Sequence, residues 1–166
     1  MERPLSLLLP IRYWFDTEFD EKGSEIQLIS IGIVAEDGRT YHAANADYDK
    51  TGANEWLRQN VLPSLETVTH KPRVQIRRDV LDFFNPAPSE IWAYFGEYDW
   101  IVLRQLVGHM LDWPPGWPLS HMNLEQWRLQ LGVPSLPAHR GTVHDALDDA
   151  RWCHAAWQYL ATLQHP

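Results

Sequence analysis

Residues 11–19 read IRYWFDTEF, and this stretch constrains the chain more than any other, because it sets two carboxylates, Asp16 and Glu18, in a run that is otherwise largely aromatic and apolar. Residues two apart on a strand point to the same face. Neighbouring carboxylates repel and are costly to desolvate, so a half-buried strand carries such a pair only where something cationic compensates both. A divalent metal ion is the natural compensator. Taken alone, a D-x-E triplet fits the solvent face of an edge strand equally well. The surroundings favour the first reading: Tyr13, Trp14 and Phe15 lead into the pair, and a second, strongly apolar strand over 26–35 follows a turn at Glu21, Lys22 and Gly23. The pair therefore belongs to a central hairpin.

At 166 residues the chain can bury a sizeable core without disulfides, and it reads as one domain over 11–163 preceded by an N-terminal tail over 1–10. The single cysteine, Cys153, excludes an intrachain disulfide and fits a reducing compartment. The cluster Leu5, Leu7, Leu8 and Leu9 is too short for a signal-peptide core and is closed by Pro10, so it is expected to pack locally. A cytoplasmic protein with no membrane partner is the expectation. The net charge of −8 argues against coating long nucleic acid by electrostatics alone. It leaves open a nuclease that engages a strand end through cations held in an acidic pocket and through stacking. Of the nine tryptophans, most are assigned to packing and the rest to stacking on bases.

Along the chain, residues 40–46 alternate well enough for a third antiparallel strand after the Asp37, Gly38 turn, so a β-meander opens the domain. A helix is predicted over 53–62, stopped by Pro63, and another over 73–84 with Ile76, Val80, Phe83 and Phe84 at helical spacing. Lys71, Arg73, Arg77 and Arg78 form a local basic cluster, read as a solvated face or as a surface that steers a nucleic-acid backbone or a partner subunit. Residues 90–96 read as a fourth, central strand. A helix over 98–111 buries Leu103, Leu106 and Met110, and the same stripe extended backward lands on Asp99. The prolines at 114, 115 and 118 mark a loop, and a short helix follows over 123–131. The last helix, over 143–163, has the core stripe Ala146, Ala150, Cys153, Trp157 and Leu160, with Asp149 at its edge and Asp145 and Asp148 turned outward.

Four acids thus stand apart from the solvated majority: Asp16, Glu18, Asp99 and Asp149. Hard cations such as Mg²⁺ and Mn²⁺ take oxygen ligands, and two of them roughly 3.5–4 Å apart are a standard device for in-line phosphoryl displacement. His144 lies five residues before Asp149, where a histidine reaches the same site from the loop side with a pKa suited to proton abstraction near neutrality. A histidine at that point also serves as a helix cap.

In order and spacing, FDTEF at 15–19, the Tyr98-Asp99 pair and H-x-A-L-x-D-A across 144–150 resemble the three motifs of the DEDDh 3′-to-5′ exonucleases. That family includes ribonuclease T, oligoribonuclease and the proofreading subunit of bacterial DNA polymerase III. The resemblance runs from Tyr13 to about Leu160 and implies an α/β, ribonuclease H-like fold, with a mixed five-stranded sheet flanked by helices and a short fifth strand. It also implies that Asp16, Glu18, Asp99 and Asp149 bind two Mg²⁺ or Mn²⁺ ions and that His144 is the general base. Glu18 would approach the terminal 3′-hydroxyl, while the Thr17 backbone, Phe19 and Tyr98 would hold the last nucleotide. Many members carry Asn four residues before the second-motif Asp, where this chain has Phe95. QLISIGIVAEDGR, WAYFGEYD and VHDALDDAR look closest to the small ribonuclease AS group. That likeness implies single-stranded RNA as substrate, a preference for poly(A) and a homodimer.

Other functions fit the same residues less well. A DNA exonuclease differs only in whether a 2′-hydroxyl is required at the last nucleotide. An idle module that binds strand ends would ordinarily lack one or more of the five residues, and a structural domain with a solvated acidic face predicts no metal dependence.

Overall fold

Polar and apolar side chains alternate only loosely along β1 (Ile11–Glu21), because this strand is paired on both edges and covered on both faces. In a computed structural model, which describes residues 9–164, β1 runs antiparallel to β2 (Ile26–Ala35) and parallel to β5 (Pro88–Ala93). β2 in turn pairs antiparallel with β3 (Thr40–Asn45), and two-residue strands β4 (His70–Lys71) and β6 (Met122–Asn123) close the edges in the order β4-β3-β2-β1-β5-β6. The near-continuous apolar run of β2 is the signature of a strand buried on both faces. This is the mixed α/β sheet expected from the pattern, with six strands in place of five. Neither two-residue strand is long enough to show a period of two.

Tyr13 and Phe15 of β1 pack with Ile31, Ile33 and Ile91 beneath α2 (Arg73–Phe83) and α3 (Glu97–Val107). On the opposite face Trp14, Val34 and Trp92 pack beneath α4 (Leu124–Gln130) and α5 (Ala146–Gln164). A smaller cluster seats α1 (Glu55–Asn60) through Leu57 against Ile29 and Ala44.

Several boundaries differ from the sequence expectation for local reasons. The helix expected over 53–62 is only the six residues of α1, capped by Asn54, and Pro63 lies within a following 3₁₀ turn, Leu62–Thr67. α3 ends at Val107 because Gly108 (φ +139°) leaves the helical region, so Met110 is not on the buried stripe and is 70 % exposed. α5 begins at Ala146, since the Asp145 side chain caps it by accepting from Leu147 N and Asp148 N; Asp145 is half-buried, not turned to solvent. Most of the basic cluster has internal partners. Arg73 and Arg77 donate to the Gln105 and Val107 carbonyls, satisfying the C-terminal end of α3, and Lys71 pairs with Asp79. The leucine cluster of the tail lies outside the described residues apart from Leu9, which is exposed. No described helix is long and apolar enough to cross a membrane.

One contact sets the position of α5. Gly32 pairs with Asp16 across the β1–β2 ladder, and a Cβ at Gly32 would lie 2.3 Å from the Ala146 carbonyl carbon and the Leu147 nitrogen. Only glycine lets the first turn of α5 rest on the sheet directly opposite Asp16. On the other side of the site the ladder slips: Glu18 faces Ser30 and Phe19 faces Leu28, leaving Ile29 as a bulge residue at the site's edge.

Candidate active site

The four acids picked out in the sequence come together at the C-terminal end of β1. Asp16 and Glu18 stand on the strand face turned toward α5, Asp99 enters from the first turn of α3, and Asp149 from the first turn of α5. They line a cleft of about 620 Å³ together with His144, its other walls being largely aromatic. Glu18 and Asp99 are 7 % and 6 % exposed, so the cleft holds acids that water barely reaches.

The electrostatics follow from that crowding. Burial, then the charges of Asp99, Glu18 and Asp149, hold the Asp16 carboxyl well above the usual carboxylate range. Burial and the nearby Asp149 and Asp99 push Glu18 up to about 8. Asp99 is pushed to about 6 by burial, with the rise restrained because its Oδ1 accepts from Thr17 N at 2.8 Å and Thr17 Oγ1 at 2.5 Å. Asp149 is raised by burial against the opposing pull of His139 and of the His144 backbone. Among the described residues, no lysine or arginine forms an ion pair with any of the four.

Such a donor set suits hard divalent cations. It supplies several carboxylate oxygens and one imidazole, and the ligand atoms of Glu18, His144 and Asp149 lie within 4.8 Å of one another. The same crowding gives a pH-dependent stability in the absence of metal. A carboxylate whose folded pKa is raised is protonated more in the folded state, so its contribution is lost as pH climbs from the unfolded value through the folded one. His42, His121 and His154, lowered by burial, act in the opposite sense below about pH 6.5, so the clean window lies above it. Between about pH 7 and pH 8 the chelated protein is expected to lose about 2–4 °C of melting temperature as Glu18 ionises. Thermal melts check this: excess Mg²⁺ or Mn²⁺ should abolish the loss, and a flat or rising melting temperature in chelator would contradict it.

His144 is held by its backbone. Its φ of +66° lies in the left-handed region, unusual for a residue with a side chain. Its N–H donates to Asp149 Oδ2 at 3.0 Å and its carbonyl accepts from Ser64 Oγ at 3.0 Å, so both neighbours impose the conformation. The ring meets Trp56 edge-on, with centroids 4.9 Å apart. Phe19, which lines the cleft, stacks on Tyr98 at 5.6 Å and 24°, and Tyr98 is half exposed. Of the Thr17 backbone, expected at the last nucleotide, the N–H donates to Asp99. Phe95 stands where the resembling family often has Asn, with φ +49° and its ring 58 % exposed. Asn tolerates that backbone region better than Phe.

Sequence reasoning missed six lining residues, Val143 and Cys153 among them. Trp56, Tyr94 and Trp152 are aromatic walls, and His139 brings Nε2 to 2.6 Å from Asp149 Oδ1. His139 belongs to an irregular loop, where no periodicity betrays which way a side chain points.

The comparisons with known proteins agree with this geometry. Residues 12–161 match the family described as the 3′-5′ exoribonuclease Rv2179c-like domain. The chain is 43 % identical over 147 residues to the 3′-5′ exoribonuclease Rv2179c of Mycobacterium tuberculosis, covering 85 % of this chain and 88 % of the relative. Among solved structures it is similar to E. coli Exonuclease I in complex with a dT13 oligonucleotide (TM-score 0.63, 14 % identity, 94 % of this chain and 42 % of that one). It is also similar to the Mg²⁺- and Mn²⁺-bound form of S. pombe Pop2p (TM-score 0.56, 11 % identity, 91 % and 82 %). Those two likenesses establish the ribonuclease H-like fold. The family match and the mycobacterial relative go further: this chain belongs to the Rv2179c-like 3′-5′ exoribonuclease domain family.

Proposed function

We propose that this protein is a metal-dependent 3′-to-5′ exoribonuclease of the DEDDh type that releases nucleoside 5′-monophosphates from the 3′ end of single-stranded RNA. The observation that carries the reading is the meeting of four mutually repelling, largely buried carboxylates with two histidines in a single open cleft, where among the described residues three of the four acids have no basic side-chain partner. Membership of the family and the exoribonuclease activity for which the 43 %-identical relative is named support it. Residues 11–163 act as one catalytic domain, cytoplasmic and homodimeric. Poly(A) preference rests on the likeness to the ribonuclease AS group.

Asp16, Glu18, Asp99 and Asp149 would hold two Mg²⁺ or Mn²⁺ ions. Bound there, the ions would acidify the attacking water and offset the charge that gathers on the phosphate oxygens. The chain supplies the rest. Thr17 locks the Asp99 carboxylate by two hydrogen bonds, and Phe19 with Tyr98 offers a stacked aromatic platform for the terminal base. Glu18, beside that platform on β1, faces the terminal 3′-hydroxyl. The His144 imidazole, steadied by Trp56, receives the proton of the attacking water.

Two experiments test this. Replacing His144→Ala is expected to lower the rate by about 10²- to 10⁴-fold, measured as turnover at saturating RNA; a change of less than a few-fold would reduce His144 to a capping role. Digestion of 5′-labelled oligo(A), a mixed-sequence RNA and the matching DNA is expected to give a ladder shortening from the 3′ end. The ladder requires Mg²⁺ or Mn²⁺, is suppressed by chelator and is absent with Asp99→Asn. Faster loss of DNA than of RNA would move the substrate class to DNA, and intact strands that still bind would make the protein a recognition module.

A further inference from the structure

The loop before α5 is folded back onto that helix with more care than a connector needs. Trp152 Nε1 donates to the Pro137 carbonyl at 2.9 Å, and the His139 ring stacks on the Trp152 ring at 5.8 Å and 29°. Thr142 N donates to Asp148 Oδ2 at 2.9 Å, and Gly141 lies so close to Asp148 that a Cβ there would come within 2.8 Å of its side chain. The result fixes the His139 ring against Asp149.

The hydrogen on that ring follows from its neighbours. His139 Nδ1 lies 3.1 Å from Gly141 N and 3.2 Å from Gly141 O, while the buried Nε2 touches Asp149 Oδ1 at 2.6 Å outside hydrogen-bond geometry and has no hydrogen-bond partner among the described residues. If Nδ1 accepts from the Gly141 N–H, the neutral ring carries its hydrogen on Nε2. If Nδ1 donates to the Gly141 carbonyl, a neutral ring accepts at Nε2 from a protonated Asp149 and a charged ring donates to its carboxylate. In every case Asp149 is the group that Nε2 faces.

We propose that His139 is a positioning residue for Asp149. Its Nε2 abuts Oδ1 while the His144 N–H hydrogen-bonds Oδ2, so that the carboxylate is confined to one rotamer before a cation arrives. The role rests on the proposed metal-dependent function. His139 is not itself a member of the group of donor atoms formed by Glu18, His144 and Asp149; it lines the cleft beside Asp149 and acts through it. Groups that orient metal-binding carboxylates in this way typically change metal affinity by about 10- to 100-fold when removed.

The side chains available separate this role from simple packing. In His139→Gln the amide N–H reaches toward Asp149 as Nε2 does. In His139→Asn the shorter amide reaches only the Gly141 side of the loop, and His139→Ala has neither contact. Mn²⁺ binding is measured on the full-length protein by the electron paramagnetic resonance signal of free Mn²⁺, with folding checked by circular dichroism. Relative to wild type, Asn and Ala are expected to weaken Mn²⁺ binding about 10- to 100-fold, and Gln to stay within roughly threefold. The Mn²⁺ concentration for half-maximal RNA cleavage should shift in parallel, with KM for RNA within about twofold. Should the alanine variant not fold, the Gln and Asn pair decides alone. Wild-type-like Mn²⁺ binding in Asn, or Gln as weak as Asn, would overturn the role while leaving the proposed function in place. A wild-type protein that binds no Mn²⁺ would overturn both.

Discussion

Replacing Asp16 by asparagine is expected to lower the RNA cleavage rate by about 10²- to 10³-fold or more while leaving the fold intact and raising the melting temperature of the metal-free protein. The two effects share one cause. Asp16 stands among Asp99, Glu18 and Asp149, and in the absence of cations burial and then that proximity oppose its ionisation. An amide of the same shape removes one charge from the cluster, and each kcal/mol of repulsion relieved is worth roughly 2–4 °C in a domain of this size. With cations present the same change deletes a ligand, and rate falls. Asp99→Asn should follow the pattern less cleanly, because Asp99 Oδ1 also accepts from Thr17 N and Oγ1. Steady-state rates and melts in chelator check both; near wild-type turnover in Asp16→Asn would remove that residue from the site.

Gly32→Ala is the second large effect, and it acts at a residue with no chemistry of its own. The added methyl would lie 2.3 Å from the backbone of Ala146 and Leu147, which cannot swing aside as a flexible side chain does. The first turn of α5 must lift off β2. Overpacking of this kind costs about 1–3 kcal/mol, and more where backbone is displaced. Asp149 rides on that turn and His144 hydrogen-bonds to it, so both shift relative to Asp16 and Glu18. A displacement of about 1 Å at such a site is enough to lower the rate by about 10²-fold. Melting temperature and turnover together are the check, and both remaining close to wild type would mean that α5 is not seated as described.

Much of this arrangement was legible in the chain because it rests on short-range periodicity. The D-x-E pair shares a strand face by geometry, the apolar run of β2 marks its burial, and Asp99 falls four residues before Leu103 on a helical stripe. Ala146, Ala150, Cys153 and Leu160 repeat at helical spacing and are buried as that spacing predicts. What escaped has no period. Two-residue strands carry none, and the end of α3 is set by a single positive-φ glycine, beyond which Met110 faces solvent. Arg73 and Arg77 looked like a solvated or strand-steering face because their partners are backbone carbonyls of a distant helix. His139 and Trp56 reach the cleft only through tertiary folding, one on an irregular loop and the other on a helix of six residues. The left-handed backbone of His144 is likewise held by Asp149 and Ser64, neither adjacent to it in sequence.

The most direct test of the central claim is crystallographic: crystals of the protein grown with Mn²⁺ and a short RNA ending in a non-hydrolysable linkage, with anomalous differences recorded near the manganese edge. The account predicts two anomalous peaks among Asp16, Glu18, Asp99 and Asp149, with the RNA 3′ end at Phe19 and Tyr98. Anomalous density absent from that cleft, or present only elsewhere on the molecule while the protein still degrades RNA, would contradict it.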